Sequence, residues 1–245
     1  MLKRILPLLL CLMLLGSSAL ADPLALQDDL ADEIVSPDDY GGLFSYSYHY
    51  PQVDDQAEGG AAVNYFYSEL ISYDLYFTVP IIQEAYEGEN CSTVITYTVT
   101  CNNDDFFSVL ICKEEVFPEF SRTSWIGNTF SRKNPKYDQT YTLPELLGIL
   151  TLNENDVWKQ DRQRAKADTL LREMVWKMIE ENPDGIDYDD QYTEDNLTSD
   201  FFPEEQFYLD ENGNPVFFLQ PGVAADEKLG LLKFPISLEE ILDEL

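Results

Sequence analysis

The chain has 245 residues, of which 46 are acidic and 15 are basic, so its formal net charge is −31 at pH 7. Such a charge repels phosphate and anionic lipid, which argues against nucleic acid as a partner and favours cationic ligands, cationic proteins or divalent cations. A simpler explanation of the charge is that it keeps the protein soluble. A hydrophobic content of 44% and an aromatic content of 13% exclude a disordered acidic tail and predict a real core, in one large domain or two packed halves.

The first 21 residues have the pattern of a secretory signal peptide. Lys3 and Arg4 precede an apolar run at residues 5–15, and small residues at 16–21 predict cleavage after Ala21. The run is shorter than the ~20 apolar residues that a membrane-spanning helix needs, and no later segment approaches that length. Lipid attachment at Cys11 is the alternative, but the leucines before it lack the small residue expected there. We therefore expect an extracytoplasmic protein, secreted or periplasmic, without a transmembrane segment.

Residues 22–43 are acidic and poor in aromatic side chains, which predicts a mobile leader ahead of a single domain at residues 44–245. Residues 44–50 then alternate aromatic and polar side chains, as a half-buried strand does, and Pro51 ends that strand. His49, the one histidine of the chain, lies on the polar face and is expected to be a surface residue. Residues 54–88 have helical spacing, with Pro80 placing a kink or break in the second half.

Three cysteines follow the signal, at Cys91, Cys101 and Cys112. Residues 91–101 and 106–116 have strand patterns, and the four polar residues between them predict a hairpin turn. That turn places Ile95 opposite Cys112, so Cys91 and Cys112 lie four positions out of register, roughly 13 Å apart at ~3.3 Å per residue. A disulfide needs Cα atoms within ~7 Å, so we expect three structural thiols, and a Cys91–Cys112 bond only if the register slips.

The next segments predict a strand at residues 122–130, a capped short helix starting at Thr142, and a long helix at residues 153–181. The long helix carries an apolar stripe at helical spacing, which predicts a core face rather than a cofactor site: Leu171, Met174, Val175, Met178 and Ile179. Its other face carries six basic residues, which we expect to pair with acids of the same helix and of the acidic body: Lys159, Arg162, Arg164, Lys166, Arg172 and Lys177.

No basic residue occurs between Lys177 and Lys228, while carboxylates accumulate at residues 187–211. Such a run can hold calcium, but it lacks the glycine and the final glutamate of an EF-hand loop. Calcium binding by this run therefore stays an alternative, and no metal ligand is assigned.

The C-terminal region has the clearest local pattern. Apolar runs at residues 207–209 and 216–219 flank Asn212-Gly213, a pair that tolerates positive φ and so predicts a hairpin. A strand at residues 231–236 and a short helix capped by Ser237 and Glu240 complete the chain.

The sequence shows no recognisable catalytic constellation. One histidine excludes any site that needs two, and the chain has no phosphate-binding glycine loop, no paired-cysteine metal motif and no Gly-x-Ser-x-Gly elbow. We therefore predict a non-enzymatic binding module with no cofactor. An envelope hydrolase that uses a pair of its many carboxylates is the alternative.

Several of these motifs together resemble a bacterial extracytoplasmic domain of unknown function. It is shared by the sensor regions of RsiV-type anti-sigma factors and the non-catalytic region of PdaC-type peptidoglycan deacetylases. The matching stretches are residues 50–52, the Asn102 hairpin, residues 142–147, the 207–218 hairpin with Pro221 and Gly230, and residues 232–238. The resemblance implies an α+β fold, with an antiparallel-rich sheet and packed helices in two coupled halves near residues 44–120 and 121–245. It also implies a role in the cell envelope, binding cell-wall glycan or a cationic protein such as lysozyme.

The chain departs from this pattern at two places. The loop at residues 221–230 keeps the family's length but has lost both of its tyrosines, and residues 124–127 lack the family's histidine and have Trp125 instead. The sigma-binding and deacetylase parts are also absent from this sequence. We expect the altered loop to select the partner, and the predicted binding residues are Pro221, Gly222, Asp226 and Glu227, with Trp125.

Overall fold

The computed structural model describes residues 23–37, 42–149 and 157–245. Its helices are α1 (Gly60–Tyr73), α2 (Val79–Ala85), α3 (Leu143–Leu146), α4 (Val157–Glu181), α5 (Glu194–Asp200) and α6 (Leu238–Glu244). Its strands are β1 (Leu30–Pro37), β2 (Leu43–Tyr50), β3 (Cys91–Asn102), β4 (Phe106–Val116), β5 (Ser121–Ser131), β6 (Phe207–Leu209), β7 (Pro215–Leu219) and β8 (Leu232–Pro235). These elements confirm the α+β class.

Two segments of interest in the sequence lie outside the described residues. These are the predicted signal peptide, residues 1–21, and the first residues of the helix predicted at 153–181. Among the described helices, none combines the length and the apolar character that crossing a membrane requires.

The first sheet has five strands in the order β1-β2-β3-β4-β5. Strands β2 and β3 pair in parallel because the helical segment that includes α1 and α2 connects them, and the other neighbours pair antiparallel. Alternation along β2 is as predicted, with Tyr46, Tyr48 and Tyr50 buried and His49 on the exposed side.

The prediction of a mobile leader at residues 22–43 is wrong for its described part. Residues 30–37 form β1, which pairs with the whole length of β2 from Leu30 opposite Tyr50 to Pro37 opposite Leu43. Leu24 is buried, and its backbone N–H donates to Asn102 Oδ1 at 2.8 Å. The acidic composition was misleading because β1 is an edge strand, which needs few apolar side chains.

The helical segment predicted at residues 54–88 begins at Gly60 and is not broken at Pro80. A five-residue π-helical turn, Asp74–Thr78, joins α1 to α2, and Pro80 occupies the first turn of α2. The N–H of Val79 donates to the carbonyl of Asp74, a π-type bond over five residues. The widened turn brings the chain to a position where proline's missing N–H is tolerated.

The β3–β4 hairpin forms as predicted, but its register differs by one residue. Cys101 lies opposite Ser108 instead of Phe106, a shift of two residues at the turn, and the bulge between Val99 and Cys101 reverses one of them, so Thr96, not Ile95, lies opposite Cys112. Thr96, the residue opposite Cys112, is five positions along β3 from Cys91. The three described cysteines are buried thiols outside any disulfide, as predicted. Burial raises the pKa of the Cys101 thiol to about 11, which makes it a poor nucleophile.

The second sheet has three antiparallel strands in the order β6-β7-β8. The hairpin between β6 and β7 is the predicted one, with Gly213 at φ 83° and the Asp210 carboxylate accepting from the N–H groups of Asn212 and Asn214 at 2.9 Å. Helix α4 buries Leu171, Val175 and Ile179 against the cluster that includes this sheet, so the predicted stripe is core.

The two sheets meet where β6 crosses β5. A Cβ atom added at Gly127 would lie 1.8 Å from the carbonyl oxygen of Phe207, so only glycine permits this approach. Nearby, Ser108 Oγ accepts from the N–H of Leu209 at 3.0 Å. Strand β5 belongs to the first sheet, so this sheet extends to Ser131, ten residues past the approximate boundary at residue 121 that the sequence predicts.

The predicted pairing with acids is present for three of the six basic residues of α4, whereas Arg162 lies over the ring of Trp158. Arg164 binds Glu204, Arg172 binds Asp168 with Nε to Oδ2 at 2.8 Å, and Lys177 lies 3.9 Å from Glu181. The cap before α3 is present too, since the Thr142 N–H donates to Glu145 Oε2 at 2.9 Å. The cations of Arg164, Arg172 and Lys177 are therefore engaged with the protein itself.

Candidate binding cleft

Two segments far apart in sequence form an open cleft of about 770 Å³ at one end of the three-stranded half. One wall is residues 187–191, and the other is the loop after β7, from Gly222 to Glu227. Five carboxylates line it, all of them exposed: Asp187, Asp189, Asp190, Asp226 and Glu227. The cleft therefore presents a concentrated negative charge to solvent.

A short stretch of backbone pairing holds the two walls together. Tyr188 and Ala225 form an isolated antiparallel bridge, and the N–H of Asp189 donates to the carbonyl of Ala224 at 2.9 Å. Ala224 and Ala225 are both buried, so the loop is anchored in the core through small side chains while the acids on either side point outward. The spacing of the carboxylates is thus set by main-chain geometry.

Local turns shape the loop wall. Gly222 has φ 78°, a left-handed conformation that favours glycine. Asp226 precedes a single 3-10 turn, Glu227–Leu229, and its Oδ1 accepts from the N–H of Lys228 at 2.9 Å. The predicted residues Gly222, Asp226 and Glu227 therefore do lie together in one site.

The opposite wall is fixed by Asn182, directly after α4. Its side chain accepts from the N–H of Ile186 at 2.7 Å and donates to the carbonyl of Ile186 at 2.8 Å, which closes the turn leading into residues 187–191. Asp189 Oδ1 accepts from the N–H of Gln191 at 2.9 Å, so this wall also has a defined turn. Burial first, and then the nearby Asp184 carboxylate, raises the pKa of Tyr188, so its hydroxyl stays protonated.

Basic residues contribute little charge to the cleft. Lys228 follows the acidic pair of the loop, but its ammonium is 4.0 Å from Asp226 and its side chain is 90% exposed. Such a contact is worth ~0–1 kcal/mol. In residues 23–37, 42–149 and 157–245, no group of three or more acidic, histidine or cysteine side chains is arranged to hold a metal ion. The carboxylates are spread along the cleft rather than converging on one point.

Trp125 and Pro221 do not line the cleft. The backbone of Trp125 is linked to the base of the loop through Gln220, whose Oε1 accepts from the Trp125 N–H at 2.9 Å and whose Nε2 donates to the Trp125 carbonyl at 2.7 Å. The indole packs against the small apolar cluster between the sheets, which includes Leu110 and Phe218. Trp125 therefore supports the loop, and its predicted role as a contact residue is not supported by this position.

Sequence reasoning missed the wall at residues 187–191 as part of the site. The sequence shows these acids as part of an acidic run, but no local pattern connects Tyr188 with Ala225, 37 positions away. The one sequence feature that the two walls share is their composition, because both are acidic and both lie in the stretch without basic residues between Lys177 and Lys228.

Comparison with solved structures gives the fold a context. A DUF3298 family member from Bacteroides fragilis matches over 89% of this chain and 92% of its own, with a TM-score of 0.54 and 10% identity. A DUF3298 family protein from Pseudomonas aeruginosa PAO1 matches over 90% of this chain and 94% of its own, with a TM-score of 0.51 and 13% identity. The chain has the fold of these DUF3298 proteins.

At these identities the likeness concerns the fold alone. No family model matches the sequence, and no curated protein matches it either. The two matches cover 89% and 90% of this chain, so the likeness in fold extends over most of its length.

Proposed function

We propose that this protein is an exported, non-enzymatic binding module of the bacterial cell envelope whose acidic cleft receives basic side chains of a cationic protein, lysozyme being the example. The observation that carries the proposal is the cleft itself. Five exposed carboxylates from two walls face an open volume large enough for several side chains, on a chain of net charge −31.

The electrostatics favour a protein partner with spread positive charge. An exposed ion pair contributes only ~0.2–1 kcal/mol, so one lysine or arginine would bind weakly. Several pairs formed together, and long-range steering by the acidic body, raise both the affinity and the association rate, and both decrease with salt. A rigid pair of walls also lowers the entropy lost on binding.

The resemblance to the RsiV-type and PdaC-type domains supports the proposal that the protein is located in the cell envelope. It is also the reason for choosing lysozyme as the cationic protein in the binding test. In this chain the loop at residues 221–230 has no tyrosine, while Asp226 and Glu227 project into the cleft. We infer that recognition here depends on charge more than on aromatic contacts.

The alternative, an envelope hydrolase, needs a carboxyl group with a raised pKa to act as general acid. Two carboxyl groups outside the cleft, Glu115 and Glu145, have lowered pKa values instead: burial acts to raise them, and hydrogen bonds from basic partners, Arg122 for Glu115 and Lys136 for Glu145, outweigh it. No specific observation favours hydrolysis, so binding is the function that we propose.

The test is equilibrium binding to hen lysozyme at low and moderate salt. The cleft variant combines Asp189→Asn, Asp190→Asn, Asp226→Asn and Glu227→Gln, which keep the shape and the capping oxygens. We expect its affinity to decrease by at least about tenfold, or ~1.4 kcal/mol, at moderate salt.

A matched control removes the same number of charges at exposed acids elsewhere, with Asp28→Asn, Glu119→Gln, Asp138→Asn and Asp243→Asn. We expect this control to lose at most about twofold, since those charges act only through the screened long-range field. Equal losses in both variants would mean that total charge, and not the cleft, attracts lysozyme.

A further inference from the structure

The outer face of the helical segment between β2 and β3 carries four exposed apolar side chains. Tyr73, Tyr76, Phe77 and Ile81, the aromatic stripe, have exposed fractions of 60%, 77%, 57% and 65%. The rings of Tyr73 and Phe77 lie against each other, with centroids 5.2 Å apart. Single exposed apolar residues are common, but four within nine positions on one helical face mark an interaction surface.

This face does not take part in holding the fold together. The inner side of the same segment packs on the core through Val63, Tyr67 and Val79, which are buried. The stripe lies on the opposite side, where no described residue covers it. Its side chains are therefore free to contact a partner without loss of core packing.

The π-helical turn Asp74–Thr78 lies in the middle of the stripe. None of its residues is buried, and Asp74 is held by the hydroxyl of Tyr46, which donates to Asp74 Oδ2 at 2.7 Å. A π turn is rare and frequently occurs at functional sites, because it changes the direction in which side chains project. Here it sets the outward positions of Tyr76 and Phe77.

Charge around the stripe selects the partner. The sequence has no lysine or arginine between residues 5 and 112, so the described part of this half is acidic throughout up to Lys113. Exposed Glu69 and Glu84 lie on the same helical segment, on either side of the stripe. A second copy of this chain or an anionic lipid surface would bring like charge to this face, whereas a basic amphipathic segment would supply both apolar and cationic groups.

We propose that the aromatic stripe is a docking surface for a basic amphipathic segment of another protein. Apolar side chains of that segment pack on Tyr76, Phe77 and Ile81, and its lysines or arginines face the flanking glutamates. This surface is in the five-stranded half, whereas the acidic cleft is in the three-stranded half. The proposal therefore does not depend on the function proposed for the cleft.

The experiment uses a fluorescein-labelled 14-residue helical peptide of leucine and lysine as the probe, with fluorescence anisotropy at about 0.05 and 0.5 M NaCl. The stripe variant is Tyr76→Gln with Ile81→Gln, at exposed positions and with residues that favour helix. We expect the peptide's affinity to decrease at least about tenfold at both salt concentrations, because apolar contacts are not screened.

The matched control is Trp158→Gln with Leu242→Gln, which removes apolar side chains of 63% and 47% exposure from other helices. This control at both salt concentrations, and the cleft variant at 0.5 M NaCl, where attraction of lysines to the cleft is screened, are expected to bind the peptide within about twofold of the unmodified protein. Equal binding by the stripe variant and the control would overturn the proposal, as would sedimentation showing a dimer that only the stripe variant loses. Circular dichroism melts of all variants check that the fold is intact.

Discussion

The contact between the two sheets at Gly127 allows a strict test of how the halves are joined. In Gly127→Ala, the new Cβ would lie 1.8 Å from the Phe207 carbonyl oxygen, 2.7 Å from the Phe207 carbonyl carbon and 3.3 Å from the Tyr208 nitrogen. All three are backbone atoms of β6, so no side-chain rotation can relieve the overlap. One sheet must move away from the other.

The cost follows from the overlap. Overpacking of a core costs ~1–3 kcal/mol when side chains can adjust, and a backbone neighbour places this case at ~3 kcal/mol or more. For a chain of this size, 1 kcal/mol shifts the melting temperature by roughly 2–4 °C, so we expect a decrease of roughly 6–12 °C. Circular dichroism melts and urea unfolding at neutral pH measure it.

Gly148→Ala is the matched control. Nothing lies within 4 Å of its added Cβ, but its φ of 66° carries a left-handed penalty of about 1 kcal/mol. If Gly127→Ala melts no lower than Gly148→Ala, the approach of β6 to β5 is not as close as described, and the account of the junction is incorrect.

Two further variants test an ion pair and the support of the loop. Glu115 is buried, and Arg122 Nε lies 2.6 Å from its carboxylate. Burial acts to raise the pKa of Glu115, but hydrogen bonds from Arg122 and Lys113 outweigh it and lower the pKa. The charged carboxylate therefore stabilises the fold fully above the ordinary glutamate pKa near 4.5, and this stabilisation is lost as the pH falls through the lower folded value. Glu115→Gln should therefore cost ~1–3 kcal/mol in urea unfolding at pH 7 and less as the pH falls below 4.5, and an equal cost at neutral and acidic pH would contradict this. Gln220→Leu removes both hydrogen bonds to the Trp125 backbone, so we expect faster hydrogen exchange at the Trp125 amide and weaker lysozyme binding, whereas unchanged exchange would show that Gln220 does not anchor the loop.

The elements that the sequence predicted well are those set by local patterns. Alternation along residues 44–50 gave β2, helical spacing gave the core face of α4, and Thr142 and Glu145 gave the cap of α3. Each depends on side chains within one or two turns of each other. The same holds for the Asp210 to Asn214 hairpin, where turn chemistry fixes the reversal.

The parts that the sequence did not predict depend on contacts between distant residues. Strand β1 lacks a clean apolar alternation because it is an edge strand, and its identity comes from pairing with β2. No glycine marks either the turn of the β3–β4 hairpin or the bulge between Val99 and Cys101, and their two register shifts combine to leave the predicted pairing one residue off. The cleft needs the bridge from Tyr188 to Ala225, and the exposure of the aromatic stripe depends on which helical face the sheet covers.

Hydrogen exchange of the protein with and without bound lysozyme tests the central proposal most directly. We expect reduced deuterium uptake in peptides covering residues 187–191 and 221–228, because both walls of the acidic cleft would be covered by the partner. The cleft variant should lose this protection under the same conditions. Protection confined to other surfaces, such as residues 73–81, with both walls unchanged, would contradict the assignment of the cleft as the binding site.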